Sequence, residues 1–234
     1  MIIGNKNGFG NDSNTTLLLH FNNNTLDSSS SAKTITDHST TDDSSVYKFG
    51  GHSRYFSGGV SQYVGAYLSL ANNADLNFGS GDFTVDTWIN FSSSSGYAGI
   101  FTHTSEQTGS TNSGYLLRWG GNILDFYYSL DGTFASLVAH HATFAFTPAL
   151  GTWYHLALVR NGANLKCYVN GSQIGSTYNM GTDSIYASTR VFDIGSQHDN
   201  TGEESFFNGY MDEFRVSKGI ARWTKNFTVP NREY

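Results

Sequence analysis

The sequence predicts an all-β fold, a large antiparallel sandwich of two sheets. Short alternating or apolar runs recur along all 234 residues, separated by Gly, Asn, Asp and Ser clusters, which is the punctuation of strands and turns. Aromatic residues reach 15% and glycines number 26, while charged residues stop at 14%, a composition suited to many strands packed on one core. No stretch of a dozen residues carries a helical period.

Taken in order, strands are expected over residues 15–21, 46–49, 66–70, 82–91, 97–102, 114–119 and 122–128, then over 134–139, 153–160, 164–170, 191–194 and 207–216. Residues 22–45 are polar and rich in Ser, Thr and Asp, and read as a long surface loop. In residues 82–91 alternation sends Phe83, Val85, Ile89 and Phe91 to the core and Thr84, Asp86, Trp88 and Asn90 to the other face. Trp153 is expected in the core. Asn170-Gly171 lies between two runs and forms a two-residue hairpin loop with both residues at positive φ, and residues 160–164 make another hairpin. In the last strand, Tyr210, Asp212, Phe214 and Val216 share one face, and Met211, Glu213 and Arg215 the other, with Glu213 and Arg215 paired on the sheet surface. Residues 217–223 have room for one helical turn. No linker or repeat divides the chain, so one domain over 1–234 is expected, with an N-terminal arm at 1–14 and a tail at 224–234. The aromatics Trp223, Phe227 and Tyr234 either dock back on the domain, the favoured reading, or reach a neighbouring subunit.

Several function classes are excluded. With 13 basic and 19 acidic residues, a net charge of −6 and no Lys/Arg cluster, the footprint of a nucleic-acid binder is missing. The single cysteine, Cys167, makes neither an internal disulfide nor a cysteine zinc cluster, and alternates with Leu165 and Val169 as a core residue. The opening MIIGNKNGFGND lacks the apolar run of a leader and no later segment is apolar enough to span a membrane, so synthesis in a cytoplasm without membrane insertion is expected. Catalytic signatures are wanting too, with no phosphate loop and no nucleophile elbow. His140 and His141 point to opposite faces of a strand, and His155, among Trp153, Ala157 and Val159, reads as a core histidine.

Five segments in order, LLLHFNNNTLDSSSS, KFGGHSRYFSGG, LSLANNADLNFGSGDFTVDTWINF, GTWYHLALVRNGANLKCYVNGSQIGS and FNGYMDEFRVSKGIARWTKNFTVPNREY, resemble the successive signatures of laminin-G-like, concanavalin-A-like jelly rolls over nearly the whole chain. The resemblance implies a jelly-roll sandwich of two antiparallel sheets, one concave, with glycan or protein ligands on that concave face or in rim loops, and in some members a calcium ion. The last segment is similar to versions in bacteriophage structural proteins and marine viral sequences. That likeness implies a virion surface component, a capsid decoration, neck or tail-fibre protein, self-associating into a homo-oligomer, with virion proteins and host-surface glycans as partners.

Endoglycanases on this fold carry E-x-D-x-x-E on one strand, because glycoside hydrolysis needs paired carboxylates. The corresponding strand here has only Asp86 on the Thr84–Asn90 face, so the expectation is a non-enzymatic protein. Asp86, Trp88 and Asn90 side by side are candidates to stack on and hydrogen-bond a sugar, the alternative being a Trp88 covered by loops. Loops 92–96 and 104–113 are further glycan candidates. Asp212 on an aromatic face needs a partner, and calcium, with Asp27 as second ligand, competes there with backbone N–H groups or an arginine.

Overall fold

The computed structural model describes residues 10–61, 64–104, 109–197 and 205–234. Its strands in chain order are β1 (Thr15–Leu19), β2 (Thr36–His38), β3 (Thr41–Asp43), β4 (Ser53–Ser57), β5 (Gly59–Ser61), β6 (Val64–Gly65), β7 (Tyr67–Leu70), β8 (Phe83–Phe91), β9 (Tyr97–His103), β10 (Tyr115–Gly120), β11 (Ile123–Tyr128), β12 (His141–Ala145), β13 (Trp153–Asn161), β14 (Asn164–Val169), β15 (Ser172–Asn179), β16 (Phe192–Ile194), β17 (Ser196–Gln197), β18 (Ser205–Phe206) and β19 (Asn208–Lys218). One α-helix, α1 (Phe134–Ala139), interrupts them. The first sheet runs β15-β14-β13-β8-β19-β4-β3 with β1 also on β19, and the second runs β12-β11-β10-β9-β16-β7-β2. All pairings are antiparallel, so the expected two-sheet sandwich is what forms. Among the described residues no helix is long and apolar enough to cross a membrane.

Alternation on β8 delivers Phe83, Val85, Ile89 and Phe91 to the space between the sheets, as expected. Leu117 and Trp119 of β10, Leu124, Phe126 and Tyr128 of β11, and Phe192 and Ile194 of β16 meet them from the second sheet. Edge-to-face rings such as Phe91–Trp119, centroids 5.5 Å apart, knit the two layers. Cys167 is buried in the same core.

Four expectations change. Residues 134–139 were expected as a strand from their Phe, Leu and Val; they form α1, capped by Thr133, whose hydroxyl accepts the Ser136 N–H at 3.0 Å. Residues 46–49 are not a strand: the Lys48 and Phe49 N–H groups donate to Asp212 Oδ2 at 2.9 and 3.0 Å. The polar stretch 22–45 contributes β2 and β3, one outer strand for each sheet. Residues 217–223 form no helical turn, since β19 runs on to Lys218.

The faces of β19 also differ from simple alternation. Asp212 lies opposite Trp88, but Arg215, not Phe214, lies opposite Asp86, so one extra residue is inserted, and Glu213 takes it up at φ 52°. Met211, Phe214 and Val216 therefore face the core, and Arg215 joins Asp212 on the outer side. Glu213 and Arg215 do not pair with each other. Glu213 bonds His20 and Arg215 bonds Asp86.

The Asn170-Gly171 loop has both residues at positive φ, 49° and 77°, and Gly171 lies against the Phe227 carbonyl, where a Cβ would collide. Gly171→Val should therefore lower the melting temperature measurably. Phe126→Ala should cost about 3–5 kcal/mol in urea unfolding. Trp153, expected in the core, is only half-buried, so Trp153→Ala should cost clearly less than Phe126→Ala.

Candidate functional site

The outer face of the first sheet is where alternation sends Asp86, Trp88 and Asn90. All three are buried. Asp86 on β8 receives Arg215 of β19 through two bonds, Nε to Oδ1 at 3.0 Å and Nη2 to Oδ2 at 3.1 Å. His155, opposite Trp88 on β13, places Nε2 3.0 Å from the Tyr234 hydroxyl, which also bonds Asp86 Oδ2. The Arg215 guanidinium lies 3.7 Å from the centre of the Tyr234 ring. Trp223 and Phe227 stack at 4.1 Å over His155, and with Ala157, Val159 and Tyr168 make a small apolar cluster outside the sheet. The segment after β19 thus docks on its own domain and seals this face. Lys48, with its ammonium 4.0 Å from the Trp88 ring centre, and Phe49 close the side over Trp88.

Electrostatics match that role. Burial works to raise the Asp86 carboxyl, but Arg215 and the His155 contact outweigh it and hold the carboxyl at about 2. Burial lowers His155, favouring the neutral imidazole. A charged pair this deep holds the fold together; no face of Trp88 is open for a sugar to stack on.

The two carboxylates expected to share calcium stand in separate hydrogen-bond sets. Each Asp27 oxygen already accepts two bonds, Oδ1 from the Leu18 and Ser29 N–H groups and Oδ2 from Ser29 Oγ and the Lys33 N–H. Asp212 takes Lys48 and Phe49 on one oxygen and nothing on the other. Burial pushes its carboxyl up to about 7 against those N–H bonds. Asp27 has no oxygen to spare, and the pair does not fit a shared calcium.

The outer face of the second sheet is different. With Leu117, Trp119, Leu124 and Phe126 turned inward, β10 and β11 turn Arg118, Asp125 and Tyr127 outward. Tyr97, 53% exposed, lies across Gly120, where any Cβ would strike its ring. The Arg118 guanidinium sits between two rings, 4.4 Å from the Tyr97 centre and 4.9 Å from that of Tyr127, and donates to the Tyr127 hydroxyl at 3.1 Å. His141 stacks on Tyr127 at 5.2 Å. Arg118 Nε and Asp125 Oδ2 are 3.9 Å apart, and Arg118 Nε and Asp125 Oδ1 are buried without a hydrogen-bond partner. Burial raises the Asp125 carboxyl against the pull of Arg118 and His141. Sequence reasoning passed over these residues, although the same alternation that set the core marks Arg118, Asp125 and Tyr127 as outward. Of the loop candidates, 92–96 borders Tyr97, and residues 105–108 of the other lie outside the described residues.

A family model described as the concanavalin A-like lectin/glucanases superfamily matches residues 62–222. No curated protein matches in sequence. Among solved structures, the binding domain of Paraclostridial Mosquitocidal Protein 1 superposes with a TM-score of 0.62 at 10% identity, over 89% of this chain and 50% of that one. The botulinum neurotoxin serotype D ligand-binding domain in complex with N-acetylneuraminic acid gives 0.62 at 14%, over 89% and 48%. The botulinum neurotoxin DC binding domain in complex with rat synaptotagmin II gives 0.62 at 14%, over 89% and 49%. At these identities the likeness is one of fold, and the chain spans about half the length of the structures it matches.

Asp86→Asn should cost about 3–5 kcal/mol in denaturant unfolding, because it strands the Arg215 cation in the interior. The native carboxyl titrates at about 2 against 3.8 as a reference, so its stabilisation is full above about pH 4 and is lost as pH falls toward 2. A pH series of unfolding midpoints should show that acid loss in the native protein and a flatter profile in Asp86→Asn.

Proposed function

We propose that this chain, which belongs to the concanavalin A-like lectin/glucanases superfamily, is a non-enzymatic lectin-like module that binds glycans on the outer face of its second sheet. The observation that carries the reading is the exposed Tyr97 ring lying 4.4 Å from the Arg118 guanidinium, with Tyr127 on the other side of that cation. Rings offer the C–H faces of a sugar a flat apolar seat, and a guanidinium beside them is a donor to its hydroxyls. Tyr127 and His141 extend the seat toward β12.

Two structural neighbours lend support. One is the botulinum serotype D domain holding N-acetylneuraminic acid, and the other concerns botulinum neurotoxin type C, whose cell entry depends upon interaction with two ganglioside molecules. The charges that act on Asp125 are Arg118 and His141, not a second carboxylate, which favours binding over glycoside cleavage. The tail packs on its own sheet, the favoured of its two expected roles, and not on a neighbouring subunit, which favours the glycan reading over an assembly role for that tail. In this reading the setting is attachment to a glycan-bearing surface, on a virion as the closing segment's likeness suggests. Weak single contacts would gain strength there by repetition.

A glycan array probed with the native protein should show retained sugars. Tyr97→Ala and Tyr97→Ser should each weaken that binding about tenfold, or ~1.4 kcal/mol, with the melting temperature unchanged. An array without any retained glycan, or variants that bind as the native protein does, would overturn the proposal.

A further inference from the structure

Three side chains from distant parts of the sequence meet beside the sealed face. His20 follows β1, Glu213 is the bulge residue of β19, and Glu233 lies in the segment after it. One ligand atom from each falls within 4.8 Å of the other two. His20 Nδ1 lies 2.7 Å from Glu213 Oε1, and the other Glu213 oxygen accepts the Tyr234 N–H at 3.0 Å. Glu213 is buried, His20 half-buried and Glu233 exposed, so the group has a closed floor and an open mouth.

Two independent features show that this corner has more acceptors than donors. Asn22 gives its amide N–H to Glu233 Oε1 at 3.1 Å, and its own Oδ1 is buried without a donor. Both Asn22 Oδ1 and Glu233 Oε1 press on Gly50, where a Cβ would overlap them. Asp212, with none of its surface exposed, adjoins Glu213. Its Oδ2 is held by Lys48 and Phe49, the residues just before Gly50, and its Oδ1 has no partner. Its charge is one of those that act on His20. A buried carboxylate oxygen and a buried amide oxygen without donors are costly unless something positive meets them.

We propose that His20, Glu213 and Glu233 bind a divalent transition ion of the zinc or manganese class, with the Asn22 amide oxygen as a further ligand. An imidazole nitrogen among carboxylate oxygens suits such ions, whereas calcium takes oxygen ligands alone. The ion takes the place of the His20–Glu213 hydrogen bond and draws Glu233 inward. It ties β1, the β19 bulge and the closing segment at one point and so fixes the seal over Asp86 and His155. The site is separate from the Tyr97 face, so its failure would leave the glycan proposal standing.

The test uses the whole chain stripped with chelator and then titrated separately with zinc, manganese and calcium chlorides, followed by thermal unfolding and calorimetry. The expected result is a melting temperature that rises with zinc or manganese concentration and one ion bound per chain. Glu233→Gln, at an exposed position that should not disturb folding, is expected to lose that rise, and His20→Gln to lose it as well. Cobalt as a probe should give a visible d–d absorption in the native protein that Glu233→Gln lacks. No shift at millimolar zinc or manganese, a shift with calcium alone, or an equal shift in Glu233→Gln would overturn the proposal.

Discussion

Arg215 stands in the middle of a sheet, with its guanidinium out of reach of water, and it therefore has to be paired. Asp86 on the neighbouring strand supplies two parallel bonds at 3.0 and 3.1 Å. That pairing needs Arg215 on the outer side of β19, while Phe214 and Val216 are needed inside. Strict alternation allows both with the correct neighbours only if a residue is inserted upstream, and Glu213 is that residue. The bulge then turns Glu213 toward His20 and leaves Asp212 facing Lys48 and Phe49. A buried ion pair is steady only when water stays away. The segment after β19 provides this with Trp223, Phe227 and Tyr234, whose ring covers the guanidinium and whose hydroxyl joins His155 to Asp86.

The two sheets show opposite ways of treating polar groups on an outer face. On the first, Asp86 is paired with Arg215, and Glu213 with His20 and the Tyr234 amide, all beneath the closing segment, while Asp212 Oδ1 is buried without a partner. On the second, Arg118 is cradled by rings while its Nε and the Asp125 Oδ1 have no partner. A closed face suits cohesion. An exposed ring beside a cation suits recognition, because a ligand there meets an apolar seat and a donor.

What the sequence showed clearly was what short-range periodicity controls. The core face of β8 could be read because Phe83, Val85, Ile89 and Phe91 keep the alternation with only Thr87 breaking it, and the Asn170-Gly171 loop because few dipeptides accept two positive φ angles. The β19 bulge left no mark, since it sits on a glutamate and not a glycine. Residues 134–139 have strand-forming Phe, Leu and Val, and their helix depends on a cap from Thr133 that a strand pattern hides. β2 and β3 are three-residue outer strands of polar residues, held by neighbours far along the chain. Trp88 was assigned to the right face, but its burial is decided by Lys48, Phe49 and the segment beyond residue 218, which only the fold brings together. Arg118, Asp125 and Tyr127 were legible as outward residues, yet one cation, one acid and one tyrosine look like any solvated strand. Their convergence with Tyr97 depends on the pairing of β9 with β10.

The closing segment also gives the molecule a front and a back. Two sheets packed face to face turn their outer surfaces in opposite directions, and here one of them is roofed by the chain itself while the other bears the exposed Tyr97. On the glycan reading proposed above, such a domain would settle on a surface with Tyr97 down and its roof up. A field of such molecules would be polarised like tiles, all presenting the same backing to the solvent whatever the ground beneath them.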